Sequence, residues 1–329
     1  MRWRKAAAAG GAALGAAALY NVTSTAGLEG LENELGGESC ELLWRGHRVA
    51  YTRRGRGEPV LLLHGIYAGA SSNEWRHTVG SLAERYTVFT VDLIGFGRSD
   101  RPRLRYTPAF YQAFLGDIMS RLGRGPLAVV ASSLSAAHVV ALAARDPRQV
   151  AALALIEPTG LGQLSGPATA SQSASQLLLE APVVGTSAYN ALTSPASVRH
   201  YLEDVYADDR LVTDELVESY VRNARQPGGK YAVAAFVGGR LNVDIRQSLR
   251  RVRQPMLVLW GEQARQNPVQ HAHGFRVLKP EADWALISAA GDLPHDERPR
   301  DTNAALHRFL ERLTRGPRAG ERSSSRAGA

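Results

Sequence analysis

The chain has 329 residues, of which 44% are hydrophobic and 21% charged, enough to bury the core of one large domain or of a domain with an insertion. Its single cysteine, Cys40, excludes an internal disulfide and a zinc site built from cysteines. The formal charge of +8 comes mostly from arginines scattered along the chain, so we expect no nucleic-acid partner.

The N-terminus begins with the basic sequence "MRWRK" and then carries no charge from Ala6 to Leu28. A basic start before an apolar stretch is typical of a signal peptide or a membrane anchor. We therefore expect residues 1–28 to be a targeting or anchoring segment outside the fold, with membrane contact or export as the consequence. The alternative is an Ala-rich helix on a cytoplasmic protein. At the other end, residues 315–329 lack apolar periodicity and are expected to be disordered.

Strand and helix patterns alternate after Cys40. A hairpin is predicted around Arg45-Gly46, and helices are predicted from about Asn73 to Glu84 and from about Thr107 to Leu122. Continuous apolar runs such as "PVLLLHG", "TVFTVDL", "LAVVAS", "VAALALIEP", "QPMLVLWGE" and "DWALISAAG" are typical of strands buried on both faces. The pattern predicts an α/β fold with a mostly parallel central sheet and helices on both faces.

The interval 160–250 breaks this alternation, because it is rich in helical sequence such as "PASVRHYLEDVYADD" and "TDELVESYVRNAR". It lies between two core strands, so we expect a core at 40–159 and 251–314 with a helical lid inserted between them. Ligands in such sheets bind beyond the carboxyl ends of the strands, where the lid would cover them.

The stretch "VVASSLSAAHVV" predicts a nucleophile elbow, in which a strand ends, a tight turn presents a serine and a helix begins. The turn brings strand and helix close together, so it needs small residues two before and two after the serine. Ser133 has Ala131 and Ser135 there, whereas the corresponding neighbours of Ser132 are larger. We therefore expect Ser133 to be the nucleophile, at a helix N-terminus that favours a developing oxyanion.

A second turn follows "LLLHG". His64-Gly65 should direct the N–H of Ile66 at the pocket, where it would form an oxyanion hole with the N–H of Leu134. His64 itself is expected to hold the loop by hydrogen bonding rather than to transfer protons.

These motifs, together with "VDLIGFGRSD", "VLWGE" and "LPHDERP", resemble the lid-bearing α/β-hydrolase fold family that includes esterases, epoxide hydrolases and haloalkane dehalogenases. The serine at the elbow resembles esterases and lipases, whereas the epoxide and haloalkane branches place an aspartate there. The resemblance implies a serine hydrolase that acts on a small, apolar carboxylic ester through an acyl-enzyme. No metal or cofactor is expected, and the oligomeric state stays open.

Two family positions differ from the usual pattern. The acid commonly follows the seventh strand, where this chain has Ala264, and some relatives place a Glu at the end of the sixth strand instead. The resemblance therefore implies Glu157 as the acid, with Glu262 as a second candidate and a purely structural buried Glu157 as the alternative.

The usual histidine position is Asp292, and His295 follows three residues later. An ordinary Asp titrates near about 4 and is a poor base for a serine hydroxyl, whereas His295 has suitable chemistry if its loop repacks. Two interpretations stay open. The first is an active hydrolase that uses Ser133, His295 and Glu157, with Asp292 as the next candidate for the base. The second is a catalytically degraded protein that binds a small apolar ligand under its lid.

Overall fold

Eight strands form one sheet in the structure, a computed structural model that describes residues 2–315 and the side chains of residues 13–314. The strands are β1 (Glu38–Trp44), β2 (His47–Arg54), β3 (Pro59–Leu63), β4 (Thr87–Val91), β5 (Leu127–Ser132), β6 (Val150–Ile156), β7 (Met256–Gly261) and β8 (Asp283–Ile287). Their order across the sheet is β1-β2-β4-β3-β5-β6-β7-β8. Only β1 with β2 and β2 with β4 pair antiparallel. The predicted fold class is confirmed, and so is the predicted hairpin around Arg45-Gly46.

The described helices are α1 (Arg2–Thr25), α2 (Val79–Ala83), α3 (Pro108–Leu122), α4 (Ser133–Arg145), α5 (Ala170–Glu180), α6 (Val184–Leu192), α7 (Pro195–Val205), α8 (Asp214–Ala224), α9 (Lys230–Val237), α10 (Arg246–Arg251), α11 (Ala272–Leu278), α12 (Pro294–Glu297) and α13 (Pro299–Arg315). Alternate residues of β3 serve two separate cores: Leu61 and Leu63 pack with α3 and α4, whereas Val60 and Leu62 pack with α2 and α13. Apolar side chains on both faces explain the continuous apolar strand sequences.

The helix predicted from Asn73 to Glu84 is wrong in its first half. The chain forms a 3₁₀ turn at Ser72–Trp75, capped by Ser71, and the α-helix starts only at Val79. The Glu74 side chain in this turn accepts hydrogen bonds from the N–H of Gly65 and from the Tyr67 hydroxyl. Such tertiary contacts outweigh local helical preference and leave no periodic signal in the sequence.

Helices α5 to α10 lie in the chain between β6 and β7, in the interval 160–250. We call this interval the insertion. Several of its residues line the cavity beyond the ends of β5 and β6, including Leu164, Tyr201 and Phe236. Movement of the insertion as a lid stays a prediction.

The N-terminal helix α1 contacts the folded domain, although the sequence predicts a segment outside the fold. Asn21 donates to the carbonyl of Val183 and accepts from Ser187 and Asn190, so α1 packs on α6. None of the helices in the described part of the chain is long and apolar enough to cross a membrane. The predicted disordered tail begins at Arg315, the last residue of α13, and residues 316–329 lie outside the described part.

Candidate active site

Ser133 lies on a strained turn between β5 and α4. Its φ is +50°, a left-handed conformation that costs roughly 1–3 kcal/mol in a residue other than glycine and that clusters at functional sites. Ala131 and Ser135 are buried on either side, so small side chains occupy the crowded positions as predicted. The Ser135 hydroxyl donates to the carbonyl of His64 at 2.6 Å and ties this turn to the loop after β3.

The loop after β3 carries the first expected oxyanion donor. Ile66 lines the same cavity as Ser133. Leu134 follows Ser133 in the first turn of α4, where backbone N–H groups have no partner within the helix. His64 is buried and bonds the loop from both ring nitrogens: Nδ1 lies 2.6 Å from the carbonyl oxygen of Gly65, and Nε2 accepts from the N–H of Leu93 at 3.0 Å. His64 therefore makes the loop contacts expected of it.

Glu157 lies at the end of β6, also with a positive φ, of +48°. Its Oε1 accepts from the N–H of Gly261 at 2.5 Å, and its Oε2 is buried without a hydrogen-bond partner. Burial raises the pKa of this carboxyl well above its usual range and outweighs the N–H of Gly261, which lowers it; the charge of Asp292 raises it further. Compared with an exposed glutamate, Glu157 is therefore shifted towards its neutral carboxylic acid form.

Both carboxylate oxygens of Asp292 accept hydrogen bonds from the loop that follows β7. Its Oδ2 accepts from the N–H groups of Arg265 and Gln266 at 2.9 and 3.0 Å, and its Oδ1 from that of Asn267 at 2.7 Å. Burial raises the pKa of Asp292, and these three bonds partly offset the effect. The three residues directly follow Ala264, so a carboxylate from another loop holds the turn where the family acid is missing.

His295 makes no hydrogen bond to Ser133, so the contact expected from the sequence is wrong. The ring is fully buried against Trp75, 4.6 Å between centroids, and its Nε2 lies 3.1 Å from Oε1 of Glu74. Its Nδ1 has no partner, so it does not bond Glu157 either. Pro294 opens the short helix α12 just before His295, and that helix packs against the 3₁₀ turn of Trp75. Glu262, the second candidate acid, is exposed and does not line the cavity.

Glu74 is a part of the site that sequence reasoning missed. Burial would raise its pKa, but the hydrogen bond and charge of His295 outweigh burial and lower it. Its other oxygen accepts from the N–H of Gly65 at 2.9 Å and from the Tyr67 hydroxyl at 2.6 Å. His295 and Glu74 therefore brace the loop that presents Ile66. No local motif marks this role, because the partners are 221 residues apart.

A cavity of about 230 Å³ joins these groups. Its apolar lining is Ile66, Tyr67, Leu164, Tyr201, Val205, Phe236 and Leu293, and its polar lining is Ser132, Ser133, Glu157, Thr159, Gln163, Gln266, Asn267 and Asp292. Among the described residues that line it there is no histidine. The cavity thus offers the Ser133 hydroxyl and two carboxyl groups to a small molecule with an apolar body, and its described lining has no imidazole to carry a proton.

Comparison with known proteins identifies the family and supports the fold. The family profile for the alpha/beta hydrolase fold matches residues 58–299. The chain is 29% identical, over 80% of its length and 67% of the relative, to the dihydrolipoyllysine-residue acetyltransferase component of the acetoin cleaving system of Cupriavidus necator. It is 26% identical, over 81% of its length and 89% of the relative, to 2-hydroxy-6-oxo-6-(2'-aminophenyl)hexa-2,4-dienoic acid hydrolase of Metapseudomonas resinovorans.

Among solved structures, a serine hydrolase involved in carbazole degradation superposes with a TM-score of 0.71. It is 24% identical, and the match covers 84% of this chain and 99% of that one. This likeness supports the fold.

Proposed function

The chain belongs to the α/β-hydrolase family, and on that premise we propose that it binds a small, mostly apolar carbonyl compound and hydrolyses it slowly through Ser133. The observation that carries the proposal is the cavity itself, which contains Ser133, Glu157 and Asp292 but no imidazole among its described lining residues. The reacting carbonyl would lie between the Ser133 hydroxyl and the N–H groups of Ile66 and Leu134.

The slow step is proton transfer. When Ser133 attacks a carbonyl carbon, a C–O bond forms and the hydroxyl proton must leave, and an efficient hydrolase gives it to a base of pKa near neutrality. Asp292 is poorly placed as a base because both of its oxygens already accept hydrogen bonds from backbone N–H groups of the loop after β7. Glu157 already accepts from the N–H of Gly261, and its raised pKa shifts it towards the protonated form, which cannot accept the proton.

The lining and the relatives support a carbonyl compound as the substrate class. The seven apolar side chains that line the cavity suit a small acyl or aryl body. The named substrate of the Metapseudomonas relative carries a 6-oxo group, and a carboxylic ester presents the same kind of carbonyl carbon. We therefore propose carboxylic esters of modest size as substrates: attack by Ser133 forms the acyl-enzyme, the C–O bond to the alcohol breaks, and the alcohol leaves with the proton that Ser133 gives up.

A second candidate function is conventional, fast ester hydrolysis with His295 as base. One observation favours it: Nδ1 of His295 and Oε2 of Glu157 are both buried without partners, and these atoms would pair if α12 moved His295 towards Ser133. In that case His295 would have to leave Glu74 and Trp75.

Labelling with a fluorophosphonate separates the two. We expect slow labelling of the native chain, none of Ser133→Ala, and unchanged labelling of Ser132→Ala, the matched neighbour. Asp292→His should label at least about 10-fold faster, because the free Oε2 of Glu157 could orient the new imidazole. Rapid labelling of the native chain that His295→Ala abolishes would instead establish the second candidate.

A further inference from the structure

One side of α1 packs on α6, and most of its other described side chains are exposed to solvent. Among the described side chains of the helix, Ala17, Asn21 and Ser24 are partly buried at helical spacing, and the others are exposed. Leu19 and Val22 are each 66% exposed. A helix on a protein surface normally turns charged or polar side chains to water. From Ala6 to its end this helix carries no charged side chain, and its amide and small hydroxyl side chains lie only in its last turns, at Asn21, Thr23, Ser24 and Thr25.

The insertion continues this uncharged surface. Helix α1 packs on α6, and α6 packs on α5. From residue 158 to residue 198 the only charged side chain is Glu180, although 21% of the whole chain is charged. Eight of the fourteen large apolar side chains that are exposed in the described part of the chain lie on these three helices: Leu14, Leu19, Tyr20, Val22, Leu177, Leu178, Val184 and Leu192. We call this surface the α1/α5/α6 face.

We propose that the α1/α5/α6 face lies on the surface of an anionic lipid membrane. Exposed apolar side chains concentrated on neighbouring helices indicate an interaction site. Arg2, Arg4 and Lys5 precede the uncharged part of α1, and basic residues beside an apolar helix surface are attracted to anionic headgroups. The same residues and the net charge of +8 oppose a second copy of this chain as the occupant. The N-terminus alone is expected to contact a membrane from the sequence, and this proposal adds helices α5 and α6 of the insertion to that contact.

The test is flotation of the full-length chain with vesicles of phosphatidylcholine alone or mixed with phosphatidylglycerol. Two variants place charge on the two parts of the face: Leu19→Glu with Val22→Glu on α1, and Leu177→Glu with Leu178→Glu on α5. The matched control is Val277→Glu with Leu286→Glu, which adds equal charge at exposed apolar positions of α11 and β8. All six side chains are exposed, so folding should survive, and circular dichroism checks it.

We expect the native chain and the control to bind phosphatidylglycerol vesicles, and each face variant to bind at least about 10-fold more weakly. Replacing Leu19 and Val22 by Lys instead should also weaken binding, since the apolar contact is lost while basic charge is kept. Native protein that does not float, or a control that loses as much binding as the face variants, would overturn the proposal. So would unchanged binding of the Leu177/Leu178 variant, or a native dimer that the face variants dissociate without affecting flotation.

Discussion

Asp292 should stabilise the loop after β7, and this can be measured by removing its oxygens in steps. In Asp292→Ala three N–H groups lose their acceptor, of which that of Asn267 is buried and those of Arg265 and Gln266 are partly buried. A buried N–H left unpaired costs about 1–3 kcal/mol, and one that water can reach costs less. We therefore expect Asp292→Ala to lower the free energy of unfolding by about 3–4 kcal/mol.

Asp292→Asn should cost less, about 1–2 kcal/mol, because one amide oxygen can still accept the two bonds that Oδ2 accepts and only the N–H of Asn267 loses its partner. Equilibrium urea unfolding measures both values. Asp204→Asn is the control: Asp204 accepts from the exposed Gln266 side chain, and its loss should cost under about 0.5 kcal/mol. If Asp292→Ala costs no more than the control, Asp292 does not hold this loop and its carboxylate is free to act as a base.

Three further predictions concern pH and the N-terminal helix. In the unfolded chain Glu157 ionises above about pH 4, whereas burial keeps the folded carboxyl protonated to higher pH. The free energy of unfolding should therefore fall as the pH rises above about 4, by up to about 1.4 kcal/mol per pH unit. Urea titrations should show that Glu157→Gln removes this fall. Burial lowers the pKa of His138 to about 3, so the free energy of unfolding should fall by up to about 1.4 kcal/mol per pH unit as the pH drops below about 6.5. His138→Phe can keep the stacking on Tyr111 and should weaken this loss of stability in acid. An equal loss in native chain and variant would contradict the argument. Asn21→Ala should speed amide hydrogen exchange in α1 but change the free energy of global unfolding by less than about 1 kcal/mol. Exchange rates in α1 equal to those of the native chain would show that the bonds of Asn21 to α6 do not hold the helix.

The fold could be predicted because its signals are local. Each buried parallel strand is a short apolar run, and α3 begins one residue after Thr107, whose side chain caps it. The elbow at Ser133 was equally readable, since backbone crowding restricts the size of nearby side chains.

The proton acceptor could not be predicted in the same way. Whether His295 reaches the serine depends on the competing attractions of Glu74 and Trp75, more than 200 positions earlier in the chain. The role of Asp292 was hidden for the same reason, because its three partners are backbone groups that no side-chain pattern reveals. Only the replacements at Ala264 and Asp292 signalled that the site had changed.

The central claim is that Ser133 faces this pocket without an efficient base. The most direct test is the time course of 4-nitrophenol release from 4-nitrophenyl butyrate, with excess ester over protein. We expect the native chain to release close to one equivalent slowly, as Ser133 becomes acylated, and then to turn the ester over only slowly; Ser133→Ala should give neither the burst nor turnover above the rate of buffer alone. Sustained turnover by the native chain that His295→Ala abolishes would contradict the account.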